Sequence, residues 1–380
     1  MIDKIEKKLC TGCNACMNIC PENSITMDKD LFGFRYPVVD YDKCKKCSLC
    51  INTCPSLENG PMLNEKWEKP KIFASWSLDE SIRFNSTSGG IFSELAQEIL
   101  NNGGFVVGAK YNEKHLVEHD MIDSKEGILK LRQSKYIQSD IGFIYNKIKD
   151  KLLENKVVAF CGSPCQVAGL LNYLKEPYDK LITFDFICRG TNSPKAYLRY
   201  LEMLEKKYKS KVKRVWFKNK TYGWNRFSSR IDFENGKTYI KNRYTDLFMK
   251  GYIEHNLYIR PCCFNCKYKS FPRVADITLA DFWGVGAVDQ KLDTDKGTSL
   301  VMINSEKGEK LFNSISDNIF YKESTLESAI NENGCIVKSV TENPMAEQFL
   351  TMLDEYEFDF CYKKLIGKDS IFKIIKRRFF

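Results

Sequence analysis

The chain has 380 residues, which is too long for one compact core of ordinary size, so at least two domains are expected. Its 43% hydrophobic content excludes a disordered protein, and the lack of a long apolar run or an apolar signal segment predicts a cytoplasmic protein. The net charge of +9 does not indicate nucleic-acid binding, because residues 362–380 hold seven basic residues against one acidic residue, and the remainder is nearly balanced.

The first 60 residues contain two copies of one cysteine motif, Cys-x2-Cys-x2-Cys-x3-Cys-Pro. This spacing is typical of two [4Fe-4S] clusters, because three thiolates can face one cubane while the fourth, before proline, binds the other cluster. The predicted ligands of the first cluster are Cys10, Cys13, Cys16 and Cys54. The predicted ligands of the second cluster are Cys44, Cys47, Cys50 and Cys20.

A disulfide framework or a set of zinc sites would also use closely spaced cysteines. Neither explains two strict runs of four cysteines, each ending in Cys-Pro, in a segment without histidine. The segment therefore indicates electron transfer. Residues 25–41 are predicted to form a hairpin between the two motifs, and the polar residues 61–70 are predicted to form a linker.

Strand-like and helical patterns alternate after the linker, which indicates an α/β fold with a largely parallel sheet. The predicted strands are 71–77, 105–111, 157–161, 181–188 and 298–303, and the predicted helices are 90–101, 141–153, 166–174, 194–208 and 307–315. Residues 212–241 differ and predict an antiparallel excursion.

The predicted fold class is therefore α/β, or α+β over the whole chain. A bacterial-type 2[4Fe-4S] ferredoxin domain occupies residues 1–60, and a larger α/β domain with a mixed sheet occupies residues 71–340. Residues 341–380 form a helical, basic amphipathic tail. Such a tail could contact an anionic membrane or a partner protein, or simply pack on its own domain.

Two segments of the larger domain suit an anionic cofactor. Residues 86–90, Ser-Thr-Ser-Gly-Gly, precede a predicted helix, where hydroxyls and backbone N–H groups can bind a phosphate, although an ordinary N-cap uses the same residue types. Residues 132–139 combine two cations with a tyrosine and several amides, which would also fit a solvated surface. A Rossmann nicotinamide site is not indicated, because the sequence has no Gly-x-Gly-x-x-Gly pattern.

Six further cysteines form a second group in the larger domain. Cys161, Cys165 and Cys188 lie at or just after the ends of predicted strands, where open α/β sheets place their ligands. Another three, Cys262, Cys263 and Cys266, lie close together much later in the chain. Four of the six could bind a third cluster, but zinc binding and unliganded buried cysteines remain alternatives. The spacing of His115 and His119 is weak as a metal signal, since both are expected in an exposed loop.

Six blocks of sequence carry a resemblance to a known family. They are the cysteine repeat, residues 86–92 with 103–109, residues 134–136, residues 162–166, residues 260–267 and residues 276–284. In this order they resemble the coenzyme F(420) hydrogenase/dehydrogenase beta-subunit family. The resemblance implies a central α/β domain that binds FAD with a [4Fe-4S] cluster close to it, and a flavin that exchanges hydride with a deazaflavin or another small organic acceptor.

The resemblance also implies roles for individual residues. The flavin contacts would be Ser86, Ser88, Gly89, Gly90, Ser134, Lys135 and Tyr136. The third-cluster ligands would be Cys165, Cys188, Cys263 and Cys266, with Cys262 left out and Cys161 as a spare candidate. Ala280 departs from the glycine that relatives often have. No catalytic residue is assigned.

The resulting hypothesis is a ferredoxin-linked, flavin-dependent oxidoreductase. A cluster passes one electron at a time, whereas a flavin collects two and can deliver them as hydride. Electrons are expected to enter from a soluble ferredoxin or another redox protein at the N-terminal clusters, cross to the third cluster and collect on FAD, or to flow in reverse. One alternative is a non-catalytic subunit that relays electrons within a larger redox complex. Another is a domain that has lost flavin and serves as a scaffold.

Overall fold

The computed structural model describes residues 1–57, 60 and 66–367. Near its beginning an antiparallel hairpin connects the two cysteine motifs, as the sequence predicts. The hairpin consists of β1 (Ile25–Lys29) and β2 (Arg35–Val39). Each motif contains one short helix, α1 (Ala15–Ile19) in the first and α2 (Leu49–Asn52) in the second. The buried face of the hairpin packs against cysteine side chains, so the strands support both cysteine loops.

After the hairpin, the described residues form two further sheets. Their strands in chain order are β3 (Lys71–Ser77), β4 (Phe105–Tyr111), β5 (Val117–Ile122), β6 (Ser139–Asp140), β7 (Val158–Cys161), β8 (Leu181–Phe186), β9 (Val212–Asn219), β10 (Ser228–Phe233), β11 (Thr238–Asn242), β12 (Ile277–Asp281), β13 (Ser299–Ile303) and β14 (Ile319–Ser324). Strands β9, β10 and β11 form a separate antiparallel sheet, which is the predicted excursion. The other nine form one large sheet.

The large sheet has the strand order β14-β3-β13-β12-β8-β7-β4-β5-β6. Its middle pairs, β12-β8, β8-β7 and β7-β4, are parallel, whereas the pairs from β12 to β14 and the pair β4-β5 are antiparallel. The central strands are buried on both faces: Val158 and Phe160 of β7 pack on one side, and Ala159 packs on the other. The predicted mixed sheet of an α/β fold is confirmed.

Helices cover both faces of this sheet. In chain order the remaining helices are α3 (Glu80–Asn85), α4 (Ile91–Asn101), α5 (Lys125–Leu131), α6 (Ile144–Leu153), α7 (Pro164–Leu174), α8 (Pro194–Tyr208), α9 (Leu247–Ile253), α10 (Val285–Val288), α11 (Glu306–Ser314), α12 (Leu326–Asn331), α13 (Ala346–Met352) and α14 (Phe358–Ile366). Ile91, Leu95 and Ile99 recur at helical spacing in α4 and bury one stripe against the sheet. Helices α6 and α7 pack on the opposite face.

A second core, rich in aromatic rings, joins the small sheet to α8, α9, α13 and α14. At its centre the Phe248 ring contacts the rings of Tyr197, Tyr200, Phe217, Tyr258 and Phe358. Helix α14 contributes Phe358, Cys361 and Tyr362, all buried, so the described part of the predicted tail is packed on its own domain. Residues 368–380 of that tail lie outside the described residues. Among the helices described, none has the length and apolar character needed to cross a bilayer.

The cysteine-rich region is held directly against the larger part of the chain. Arg260 is fully buried at this seam, and it donates hydrogen bonds to the carbonyl oxygens of Cys10 at 2.9 Å and Arg35 at 2.8 Å. Of the predicted linker, residues 66–70 are described, and Lys66 forms a buried ion pair with Asp276 beneath β12. These described residues are therefore tied to the sheet.

Candidate functional site

The two cysteine loops have the same backbone conformation. Gly12 and Lys46, which precede the second cysteine of each motif, have φ values of 70° and 55°. Asn14 and Ser48, which follow it, have φ values of 63° and 62°. Left-handed residues at matching positions turn successive N–H groups toward one concave side, an arrangement that favours negatively charged groups such as an iron–sulfur cluster with its thiolates.

Four thiols from the two motifs share one buried location. Burial raises the pKa of Cys13 to about 12, and the next largest cause is the neighbouring thiol of Cys54. Burial also raises the pKa of Cys16, with further increases from Cys13, Cys10 and Cys54. The structure thus places Cys54, from the second motif, with the three leading cysteines of the first. This is the grouping that the sequence predicts for the first cluster.

The second predicted tetrad lies nearer to solvent. Burial raises the pKa of Cys50, and Cys44 is a neighbouring thiol that raises it further. The Cys20 sulfur lies 3.1 Å from the Ser24 hydroxyl, and Cys47 is exposed. Cys44 and Cys50 are therefore brought together, while the complete tetrad with Cys20 and Cys47 stays a prediction.

A third group of thiols lies at the carboxyl ends of β7 and β8. Burial raises the pKa of Cys165 well above its usual range, and the thiols of Cys188, Cys266 and Cys263 raise it further. Burial likewise raises the pKa of Cys188 to about 12, followed by the effect of Cys263. Cys165 lies in the first turn of α7, whose Ser163 and Gln166 form a capping box. The four cysteines assigned by resemblance are thus neighbours.

The remaining two cysteines of this group have different neighbours. Cys262 is buried beside Cys263, whose pKa is raised by a hydrogen bond with the Cys262 thiol and by burial, and it also interacts electrostatically with Arg260 and Tyr36 at the seam. Burial raises the pKa of Cys161 to about 12, and its charged neighbours are Asp185 and Lys135, not the other thiols. The surroundings of Cys161 are therefore consistent with leaving it out of the third tetrad, whereas Cys262 adjoins the tetrad and its omission stays a prediction.

The donor set fits iron–sulfur clusters in kind and arrangement. Among the described residues, no three His, Cys, Asp or Glu side chains converge as ligands of one metal ion. A cubane makes a different demand, because each of its four thiolates binds a separate iron and the sulfurs surround a shared volume. Two all-cysteine groups with thiols as mutual neighbours meet that demand.

The segment at residues 86–90 is held tightly against β3 and the start of β13, two neighbouring strands of the large sheet. The Ser88 hydroxyl donates to the Thr298 carbonyl at 2.8 Å, and the Gly89 amide donates to the Ser299 hydroxyl at 2.9 Å. A Cβ atom at Gly89 would lie 2.4 Å from the Ser75 carbonyl oxygen, so only glycine fits this approach. Gly90 has φ 97° and starts α4, while the buried Ser86 hydroxyl has no hydrogen-bond partner within the described residues.

The two segments that suit an anionic cofactor are joined by hydrogen bonds. The Ser134 amide donates to the Thr87 hydroxyl at 2.8 Å, and the two hydroxyls lie 3.0 Å apart. Gln133 donates to the Asn85 carbonyl at 2.9 Å. The cofactor contacts predicted in residues 86–90 and in residues 134–136 belong to segments that are distant in sequence. The fold brings these two segments together.

A buried and a half-buried lysine lie beside this paired segment. Lys135 donates to the carbonyl oxygens of residues 131, 132 and 133 at 2.9–3.1 Å. Lys220 donates to the carbonyl oxygens of Ser88 at 2.7 Å and Lys296 at 2.9 Å, and also to that of Arg83. Burial lowers the pKa of each lysine to about 7. Within the described residues, all hydrogen-bond partners of both ammonium groups are backbone carbonyl oxygens, so neither charge is matched by a bonded carboxylate.

Lys220 was missed by sequence reasoning, as was an aromatic wall close to it. Trp224 and Trp283 stack with ring centres 4.6 Å apart, and the Trp224 indole donates to Asp281 at 2.7 Å. Lys218 pairs with the same Asp281 and lies 4.6 Å from the Trp283 ring centre. Their only sequence signal was the position of Asp281 and Trp283 in one of the blocks that carry the family resemblance.

The prediction for His119 was wrong. The residue lies on β5, is 8% exposed, and has a ring nitrogen 3.2 Å from the Cys161 carbonyl oxygen, at hydrogen-bond distance. Since a carbonyl only accepts, the His119 ring nitrogen is the donor. Burial lowers the pKa of His119 to about 4, so the ring is neutral at physiological pH. The alternating pattern of β5 was masked in the sequence by its charged neighbours.

Comparisons with known proteins give a consistent result. The profile of the coenzyme F420 hydrogenase/dehydrogenase beta subunit N-terminus matches residues 72–143, and that of its C-terminus matches residues 155–329. A 4Fe-4S dicluster domain matches residues 9–57. No curated protein matches the chain.

Among solved structures, a chain of the F420-reducing [NiFe] hydrogenase complex from Methanosarcina barkeri, studied as a xenon derivative, is similar at 17% sequence identity and a TM-score of 0.48. The alignment covers 81% of this chain and 95% of that one. The two family profiles together match more than half of the residues. The chain therefore belongs to the coenzyme F420 hydrogenase/dehydrogenase beta-subunit family and carries a 4Fe-4S dicluster domain, which makes it an iron–sulfur electron-transfer protein.

Proposed function

We propose that the protein is an oxidoreductase that binds FAD beside residues 86–90 and exchanges electrons between iron–sulfur clusters and a small organic acceptor, such as a deazaflavin. The observation that carries this proposal is a pair of lysines, the buried Lys220 and the half-buried Lys135, whose ammonium groups are bonded only to carbonyl oxygens within the described residues.

A buried cation is costly unless it is paired with an opposite charge. An anionic ligand would supply that charge, and a pyrophosphate carries it in a compact form that lysine binds well. The start of α4 and the unpartnered Ser86 hydroxyl add donors at the same place. The chain's own groups are therefore suited to the phosphate part of a dinucleotide such as FAD.

In this proposal Lys135 and Lys220, whose N–H donors are already bonded to carbonyl oxygens, attract the phosphates through their positive charge, and the Ser86 hydroxyl donates to them. Gly89 and Gly90 let the segment pack closely against the protein beneath it. Bound FAD would supply two-electron hydride chemistry to a protein whose clusters carry single electrons. The aromatic wall of Trp224 and Trp283 offers a flat surface nearby for a planar ring system. The third tetrad, Cys165, Cys188, Cys263 and Cys266, would hold a further [4Fe-4S] cluster in the same domain.

The test is anaerobic purification and reconstitution, followed by counts of iron, sulfide and flavin. About twelve irons and one FAD per chain are expected, because three cubanes contain four irons each. Turnover is then measured with reduced ferredoxin as donor and a deazaflavin or other candidate acceptors. A chain that binds no flavin after reconstitution would overturn the enzyme proposal and favour a subunit that only relays electrons.

A further inference from the structure

The first and third cysteine tetrads lie against each other across the seam. Cys13, Tyr145 and Tyr268 are buried in one apolar cluster, and Cys165 and Cys266 pack against it. Helix α7 carries both Cys165 and Gly169, and a Cβ atom at Gly169 would lie only 2.9 Å from the Cys13 sulfur. The helix that starts at the third tetrad therefore packs directly on the first.

Tyr268 lies at this junction with an unsatisfied hydroxyl. The side chain is 7% exposed, and within the described residues its buried hydroxyl has no hydrogen-bond partner. Burial raises the pKa of Tyr268 well above its usual range, and the next causes are the thiols of Cys165, Cys13, Cys266 and Cys54. The groups packed around Tyr268 are therefore sulfur ligands of both tetrads.

The position of Tyr268 is fixed by its backbone. Arg273 donates to the Tyr268 carbonyl at 2.9 Å and forms a buried ion pair with Asp185 at 3.1 Å. The Tyr268 amide hydrogen bonds to the Cys266 sulfur, which partly opposes the rise in the pKa of Cys266 caused by burial. The backbone of Tyr268 is thus held beside the Cys266 sulfur, and its side chain lies in the cluster that Cys13 and Cys165 also contact.

Burying a hydroxyl group without a hydrogen-bond acceptor costs free energy, so the Tyr268 hydroxyl is expected to have an acceptor when the site is filled. Cysteine thiolates and the sulfides of a cluster are hydrogen-bond acceptors, and such bonds are among the factors that set the reduction potential of a cluster. We propose that the Tyr268 hydroxyl donates a hydrogen bond to a sulfur of the third cluster, on the Cys165 side, and thereby raises the reduction potential of that cluster.

The physical reason is the charge of the reduced state. Reduction adds one negative charge to the cluster, and a donor aimed at its sulfur stabilises the more negative form more strongly. Tyr268 is thus a positioning residue that makes the third cluster a better electron acceptor for the first. This inference rests on the proposed third cluster, so the iron count of the unaltered protein is measured first.

The test is a redox titration of the reconstituted full-length chain, with each cluster followed by electron paramagnetic resonance. In Tyr268→Phe the midpoint potential of one cluster should fall, with about a tenfold or greater change in the equilibrium constant for its reduction, as expected for loss of a hydrogen bond to a charged acceptor. The other clusters should be unchanged. The matched control is Tyr145→Phe, since the Tyr145 hydroxyl in the same apolar cluster already donates to the Gln166 carbonyl at 2.8 Å.

A second readout does not depend on the potential. In the unaltered protein, the reduced third cluster should show coupling to an exchangeable proton that disappears in deuterated water, and Tyr268→Phe should lack this coupling. Equal potentials in Tyr268→Phe and the unaltered protein, or an equal shift in Tyr145→Phe, would overturn the role of Tyr268 alone. An unaltered protein with only about eight irons would overturn the third cluster as well.

Discussion

Cys54, the last cysteine of the second motif, lies beside Cys13 of the first motif in a buried site. The first cluster site therefore contains a thiol from each copy, so neither motif can form a complete site alone. The same buried region extends across the seam to α7. The third tetrad, which includes Cys165 in the first turn of α7, therefore lies beside the first tetrad.

The third tetrad can be tested with two adjacent cysteines. Cys263 has the other three thiols of the tetrad as neighbours, whereas Cys262 adjoins Cys263 and also interacts with Arg260 and Tyr36. Cys263→Ala should lose about four irons per chain after reconstitution, because one cubane loses a ligand. Cys262→Ala should keep the full iron content. Equal iron loss in the two variants would contradict the assignment.

Removing the charge of Lys220 should weaken flavin binding. Lys220→Met removes an ammonium group beside Ser88 and should raise the Kd for FAD about 10- to 100-fold, because an attraction between opposite charges is lost at a buried position. Iron content should stay unchanged. Lys130→Met, at an exposed lysine on α5, is the control. Fluorescence titration of FAD measures both, and an unchanged Kd in Lys220→Met would count against the proposed site.

Flavin affinity should also depend on pH. Burial lowers the pKa of Lys220 to about 7, while Asp281 and Glu80 act in the opposite direction and Arg83 and Lys218 lower it further. An anion binds the protonated lysine, so the affinity for FAD should fall above pH 7, by up to about tenfold per pH unit. The flavin-free protein should instead gain stability between about pH 7 and 10, because the unfolded chain then binds more protons. Lys220→Met should remove one contribution to each profile and leave that of Lys135, whose pKa burial also lowers to about 7.

The ion pair of Lys66 and Asp276 should be important for stability. Its side chains are 6% and 2% exposed, and loss of one partner leaves the other charge buried. Lys66→Met should therefore reduce the free energy of unfolding by about 3–5 kcal/mol. The control is Lys71→Met, which breaks the ion pair of Lys71 with Glu309. These side chains are 49% and 32% exposed, so the variant should lose less than about 1 kcal/mol of the free energy of unfolding. Urea unfolding followed by tryptophan fluorescence measures the free energy of unfolding of both variants. Equal losses in the two variants would contradict the importance given to burial of the Lys66–Asp276 pair.

The glycine at the flavin segment can be tested by adding one methyl group. In Gly89→Ala the new Cβ would meet the Ser75 carbonyl at 2.4 Å and the Ser299 amide nitrogen at 2.9 Å. Displacing this backbone should cost about 1–3 kcal/mol of stability and weaken FAD binding. Gly334→Ala, where no atom lies within 4 Å of the new Cβ, should change the melting temperature little. A Gly89→Ala protein with normal stability and normal FAD affinity would contradict the close approach.

The motifs were predictable because local spacing determines them. The cysteine repeat fixed the hairpin and the first thiol group, and the alternation along β3, β4, β7 and β8 gave the centre of the large sheet. Strand β14 at one edge of the sheet, and β5 beside the short edge strand β6 at the other, were not predicted, because charged residues interrupt their apolar pattern.

Contacts between distant segments were the other limit. The cationic side of the flavin segment depends on Lys220 at the end of β9, which reaches Ser88 only through folding of the small sheet. The partial burial of Lys135 was not foreseen either, since the sequence around it resembles a solvated surface. Tertiary folding, not local pattern, decides whether a lysine is solvated or buried.

The seam formed by Arg260 has a consequence for the kinetics of the protein. Its guanidinium group bonds to the backbone at Cys10 and Arg35, while α7 packs against Cys13, so the first and third tetrads are held at a fixed separation. If both tetrads hold clusters as proposed, an electron crossing between them would need no encounter and no movement of one part of the protein relative to the other. The rate of this step should therefore be independent of solvent viscosity and protein concentration.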